Sequence, residues 1–223
     1  MKNCLLLVII FIVTAFINGC SELIPKATVL PSFYILNGVN IEAKNQVNKP
    51  LIEQNYQRIL SERKLVTATL TVNSSTATAG FDSARMVYSR EPYKLEYFAH
   101  SEWIDTPARM LTPLIIDTLK VKSLFSAVTM SPSSADSIFS LDTQIIRLQQ
   151  EFFYQQSRER LSVRATLIDN VKHTVIFVHE FDVIVMSKTE NPYGGVVAAN
   201  EAVQKMLGDL VLLCDEAIIN YTQ

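Results

Sequence analysis

The best acid–base candidate in the chain is His179-Glu180-Phe181-Asp182. An imidazole beside two carboxylates suits general acid–base catalysis, because His titrates near neutral pH and a carboxylate can orient it. The surrounding pattern weighs against that use. Residues 174–186 read as a strand, so Glu180 and Asp182 point to one face and His179 to the other. Arg160 and Arg164 offer cross-strand ion-pair partners instead. Elsewhere the six glycines are scattered, without a dinucleotide fingerprint, a P-loop or a G-x-S-x-G elbow. His100, His173 and His179 lack H-E-x-x-H spacing and no C-x-x-C occurs. The sequence therefore predicts no catalytic set, no metal site and no cofactor.

The second chemically unusual stretch is MVYSREPYKLEYFAHSEW, residues 86–103, with five aromatics in eighteen residues. Met86-Val87-Tyr88 reads as one strand, Arg90-Glu91-Pro92 as a turn and Tyr93–Trp103 as the next strand. Alternation puts Tyr93, Leu95, Tyr97, Ala99 and Trp103 on one face. Lys94, Glu96, His100 and Glu102 share the other face with Phe98. Two readings stand. The rings cover the helix that begins at Pro107, or Tyr88, Tyr93, Tyr97, Phe98 and Trp103 form a docking surface for a partner, since Tyr and Trp join large contact area to a polar handle.

The elements that position these residues begin after an export signal. Lys2 precedes an apolar run from Leu5 to Ile17, too short to span a bilayer comfortably. Ile17-Asn18-Gly19-Cys20 resembles the lipobox of bacterial lipoproteins, which implies cleavage between Gly19 and Cys20 and acyl chains, palmitate among them, on Cys20. Each buried methylene adds about 0.8 kcal/mol to such an anchor. Ser21 in place of Asp implies the outer membrane of a Gram-negative cell, facing the periplasm. An ordinary signal peptide cut near Gly19 is the alternative. With Cys4 removed and Cys20 acylated, Cys214 is alone on an apolar helix stripe and no internal disulfide can form. A formal net charge of −2, with no basic cluster, excludes a nucleic-acid partner.

Residues 1–19 are thus a signal peptide, and 20–63 a tether and extension with a short strand at 33–36 and a thin amphipathic helix at 50–62. Residues 64–223 are one domain. Strands are expected over 64–72 and 125–130. Three longer ones follow at 138–153, 161–168 and 174–186, the first with a bulge near Ile145-Ile146 where the inward phase slips. The last is apolar on both faces at its ends, as an interior strand would be. Residues 73–80 read as a loop. A helix opens at Thr106-Pro107, with Pro113 predicting a kink or a restart capped by Thr112. A longer one follows Asn191-Pro192-Tyr193-Gly194-Gly195, with the stripe Val196, Val203, Leu207, Leu210, Cys214, Ala217 and Ile218. This order predicts a single α/β domain, a mixed β-sheet flanked by two main helices.

Met86-Val87-Tyr88, Pro92-Tyr93, Leu95, Tyr97, Ala99, Trp103, Pro107 and Met110-Leu111 resemble the signature of the ABC-type transport auxiliary lipoproteins, the paraquat-inducible protein C and YmbA-like group. Leu141, Ile145, Leu148, Phe152, the segment Val163–Leu167 and the final helix fit as well, over residues 64–218. Pro113 and the long 44–63 segment depart from the pattern. The resemblance implies a lipid-anchored, non-enzymatic accessory of an ABC permease and ATPase whose periplasmic partner carries MCE domains. Such systems move phospholipid or other hydrophobic molecules between the two membranes. Whether copies associate as a homo-oligomer is left open. An assembly or pilot lipoprotein for a secretion channel is the alternative role. A periplasmic hydrolase is the third, and it would require Ser or His and carboxylates in one pocket.

Overall fold

The computed structural model describes residues 30–37, 68–121, 124–133 and 136–221. Gly19, Cys20 and the helix expected at 50–62 lie outside the described residues. Within the compact unit Pro31–Gln223 the elements run β1 (Ser32–Tyr34), β2 (Thr69–Val72), β3 (Thr76–Ala77), β4 (Arg85–Ser89), β5 (Glu96–Trp103), α1 (Pro107–Val121), β6 (Ala127–Met130), β7 (Phe139–Glu151), β8 (Arg158–Asp169), β9 (Thr174–Met186) and α2 (Pro192–Tyr221).

β7 is the spine of one open mixed sheet. Along one side it pairs antiparallel with β8 over its whole length. Along the other it is shared by three short parallel strands: β2 beside Phe139–Leu141, β3 beside Gln144–Ile145 and β4 beside Gln150–Glu151. β6 extends the sheet past β2, β5 and β1 extend it past β4, and β9 lies outside β8. The expected α/β class is what forms. The loop expected at 73–80 contains β3, whose small polar residues still supply backbone groups to β7. Among the described residues β9 is an edge strand, contrary to the interior position its apolar ends suggested. Hydropathy alone cannot separate a strand covered by neighbours from one covered by a helix on one face.

Periodicity explains the core. Leu161, Val163, Ala165 and Leu167 of β8 are all fully buried, as are Phe139, Leu141 and Ile145 of β7. The bulge falls where the inward phase slips, between Ile145 and Arg147, and it returns Leu148 to the core side. Both helices pack over the sheet. Asn191 caps α2 by accepting a hydrogen bond from the Gly194 N–H at 2.9 Å, and Pro192 fills the first turn.

α1 does not restart at Pro113 but runs unbroken to Val121. The proline withholds a hydrogen bond from the Arg109 carbonyl, and both residues lie on the exposed face, where water can replace the lost donor. Thr112, expected as a cap, points inward. Its Oγ1 accepts the Ser75 N–H at 2.9 Å and donates to the Ala108 carbonyl at 3.2 Å, while Ser75 Oγ meets Thr143 Oγ1 at 2.6 Å. This buried hydroxyl cluster joins α1 to the centre of the sheet.

The N-terminal strand is clipped by α2. Asn200 Oδ1 accepts the Asn37 N–H at 2.7 Å and its Nδ2 donates to the Ile35 carbonyl at 3.1 Å, an amide standing in for a neighbouring strand.

Candidate docking surface

The hairpin β4–β5 is where aromatic side chains reach the surface. Its register is broken. Val87 lies opposite Tyr97 and Tyr88 opposite Glu96, and an unbroken ladder would set Arg85 opposite Ala99; it lies opposite Glu102 instead. The extra residues of β5 therefore reverse the faces that simple alternation predicts. Trp103 is 3% exposed and belongs to the core, so it leaves the docking set. Phe98, expected among the polar residues, packs against the core edge and against Tyr88. Tyr97 faces away from that cluster and carries the Arg85 guanidinium 3.7 Å above its ring.

Tyr88, Phe98 and Phe152 make a half-buried triad. The Tyr88 and Phe98 centroids are 4.4 Å apart, and Phe152 meets Tyr88 edge-on at 5.9 Å and Phe98 at 6.3 Å. Such pairs add about 0.5–1.5 kcal/mol beyond area burial. Phe152 arrives from the end of β7, fixed by its N–H donating to the Ser89 carbonyl at 2.8 Å. It completes a cluster that the hairpin sequence alone does not contain; its inward phase in β7 was the only signal. Arg90 lies 5.7 Å over Tyr88 and pairs with Glu96 through Nε at 2.7 Å, and that hydrogen bond holds the Glu96 carboxyl below its usual range.

At the tip, the Lys94 N–H donates to the Glu91 carbonyl at 3.3 Å across Pro92-Tyr93. Tyr93 has φ 68° and is fully exposed. Proline followed by positive φ is the type II turn arrangement, whose third position favours glycine. A tyrosine there costs about 1–2 kcal/mol and projects its ring into solvent.

The His179–Asp182 run forms an ion-pair ladder, not an acid–base site. Asp182 accepts from Arg160 Nε at 2.9 Å and Nη2 at 2.7 Å, and from Ser162 Oγ at 2.7 Å. Arg160 is the main reason that its carboxyl titrates below the usual range. Glu180 pairs with Arg164 at 3.2 Å, and the His179 ring meets Phe181 edge-on at 4.6 Å on the other face. Among the described residues no group of three or more His, Cys, Asp or Glu could hold a metal ion, and no helix is long and apolar enough to cross a membrane.

Comparison with known proteins agrees with this architecture. A crystal structure of a protein from Xanthomonas campestris superposes with a TM-score of 0.66 at 18% identity, covering 71% of this chain and 90% of that one. An uncharacterised protein superposes at 0.56 and 10% identity, covering 66% and 92%. Both likenesses concern the fold. No curated protein sequence matches the chain. The model of the family described as ABC-type transport auxiliary lipoprotein component matches residues 57–211. That span holds every strand of the sheet except β1, together with α1, the aromatic hairpin and most of α2, and the chain belongs to the ABC-type transport auxiliary lipoprotein component family.

Proposed function

We propose that the chain is a periplasm-facing accessory subunit, held to the outer membrane by acyl chains on Cys20, of an ABC transport system whose periplasmic component carries MCE domains. In this reading it moves no substrate by itself. It tethers the assembly that carries phospholipid or another hydrophobic molecule between the membranes. The observation that supports docking is the triad Tyr88, Phe98 and Phe152 at the sheet surface, beside a Tyr93 held at a backbone angle that favours glycine. Unfavourable backbone geometry concentrates at functional positions, and partly exposed aromatic anchors with an arginine at hand are the side chains that dominate interfaces.

Co-purification of the MCE-domain protein with the lipid-anchored chain tests this. Tyr88→Ser with Phe98→Ser should weaken capture at least tenfold. Tyr93→Ala should also reduce capture, and because this ring is fully exposed its removal leaves the domain folded. Unchanged capture in Tyr93→Ala together with unchanged capture in a folded double variant would overturn the docking role.

A further inference from the structure

The far edge of the sheet bears features that the aromatic surface does not use. β9 is thirteen residues long, and among the described residues only β8 pairs with it. The other two edges, β1 and β6, have three and four residues. Native edges are usually guarded by Lys, Pro, bulges or shortness. TVIFVHEFDVIVM contains no Lys, Arg, Pro or Gly. Its one irregularity lies near its start, opposite Leu167 and Ile168, which leaves Phe177–Met186 in unbroken register. Its outer row of N–H and C=O groups is a template for another strand.

Two further features set what that strand would carry. Beside the first half of β9 runs a groove of about 420 Å³ between the strand and α2, with Ile176, Phe177, Leu213, Ala217 and Tyr221 in its lining. No β8 side chain lines it, so it opens on the outer side of the edge. On the opposite face of the sheet β9 presents Glu180 and Asp182. Their partners Arg164 and Arg160 lie inboard on β8, leaving carboxylates as the outermost charges. We propose that the β9 edge and this groove take an extended segment of a partner protein by strand addition, with an apolar side chain of the segment in the groove and a basic one beside Glu180. Alternation puts those two side chains on opposite faces, three positions apart, as Phe177 and Glu180 are. A second copy fits this edge less well. Antiparallel self-pairing centred on the strand sets Glu180 against its own counterpart, and like charges directly opposite destabilise a ladder.

The test uses the mature chain from residue 20, made soluble by Cys20→Ser. The probe is a nine-residue synthetic peptide of β-branched residues with Phe at its third position and Arg at its sixth. Controls are the same peptide with Glu replacing Arg, and two versions N-methylated on either alternate set of amides. NMR titration and amide exchange should show slowed exchange at alternate residues of Phe177–Met186, binding abolished by one methylated set, and at least tenfold weakening with the Glu peptide. Ala217→Trp fills the groove and should weaken binding at least tenfold, while Glu180→Lys should reverse the preference between Arg and Glu peptides. Unprotected β9 amides at millimolar peptide, or binding indifferent to both methylated sets, would overturn the proposal. So would protection already present in the free chain. Concentration-dependent protection would assign the edge to a second copy, and concentration-independent protection to a segment of the chain itself.

Discussion

Glu159 is a carboxylic acid placed where carboxylates rarely survive. It is 3% exposed, on the core side of β8 near the first turn of α2. Burial first, and then the charge of Glu151 on β7, push its pKa well above the ordinary range. Arg158 does not relieve this, because its Nε is engaged by Glu151 at 2.8 Å. In the unfolded chain a Glu ionises near about 4.3, while in the fold the proton is retained. Below that pH both states are protonated and stability is complete. As pH rises toward the folded value, the unfolded state alone releases its proton and stability falls, by about 1.4 kcal/mol per pH unit. Glu159→Gln should remove that slope. Urea denaturation of both proteins between pH 4 and 8 checks it, and parallel profiles would refute the buried proton. Cys214 shows the same force on a thiol, pushed up to about 12 by burial, which makes it a core filler and not a nucleophile. The cross-strand pairs of Arg160 and Arg164 were legible in the sequence because period-two spacing fixes which side chains share a face. Glu159 was not, because its burial depends on a helix that starts more than thirty residues further on, whose glycines permit close approach.

Those glycines decide how α2 seats on the sheet. A methyl at Gly194 would stand 2.1 Å from the Thr189 carbonyl oxygen, a backbone atom that cannot step aside. At Gly195 it would stand 2.5 Å from Gln150 Oε1, the end of a side chain that is itself buried. At Gly208 it would meet nothing within 4 Å on an exposed helix face. Gly194→Ala should therefore destabilise most and Gly195→Ala by about 1–3 kcal/mol. Gly208→Ala should stabilise by about 0.5–1 kcal/mol. Chemical denaturation of the three variants gives the order directly. The capping Asn191-Pro192 and the apolar stripe made this helix readable, as they did the inward rows of β7 and β8. What local reading missed were relations between elements. The broken register of β4 and β5 exchanged the faces of Tyr97 and Phe98, and a helix covering one face gave β9 the hydropathy of an interior strand. The restart expected at Pro113 failed for a similar reason, since the cost of the missing donor depends on whether Arg109 faces water.

At the scale of the molecule, the proposed anchor and the described domain make separable contributions. Cys20→Ala should move the chain from the membrane pellet to the soluble periplasmic fraction while leaving its denaturation midpoint unchanged, as fractionation and urea titration would show. Recovery in the pellet would refute acylation at that sulfur. Partner capture by the aromatic surface should then fall only through lost local concentration. One feature of the sheet also bears on how the chain reaches this state. β7 to β9 are neighbours in sequence and pair as a meander. β4 pairs locally with β5, but β2, β3 and the β4–β5 hairpin are joined to one another through β7, which lies about fifty residues or more later. Local pairing closes quickly and distant pairing slowly. During synthesis from the N-terminus the β4–β5 hairpin can close early, but β2, β3 and that hairpin share no neighbouring strand until β7 has emerged. The slow step of assembly is therefore expected where the N-terminal half docks onto β7.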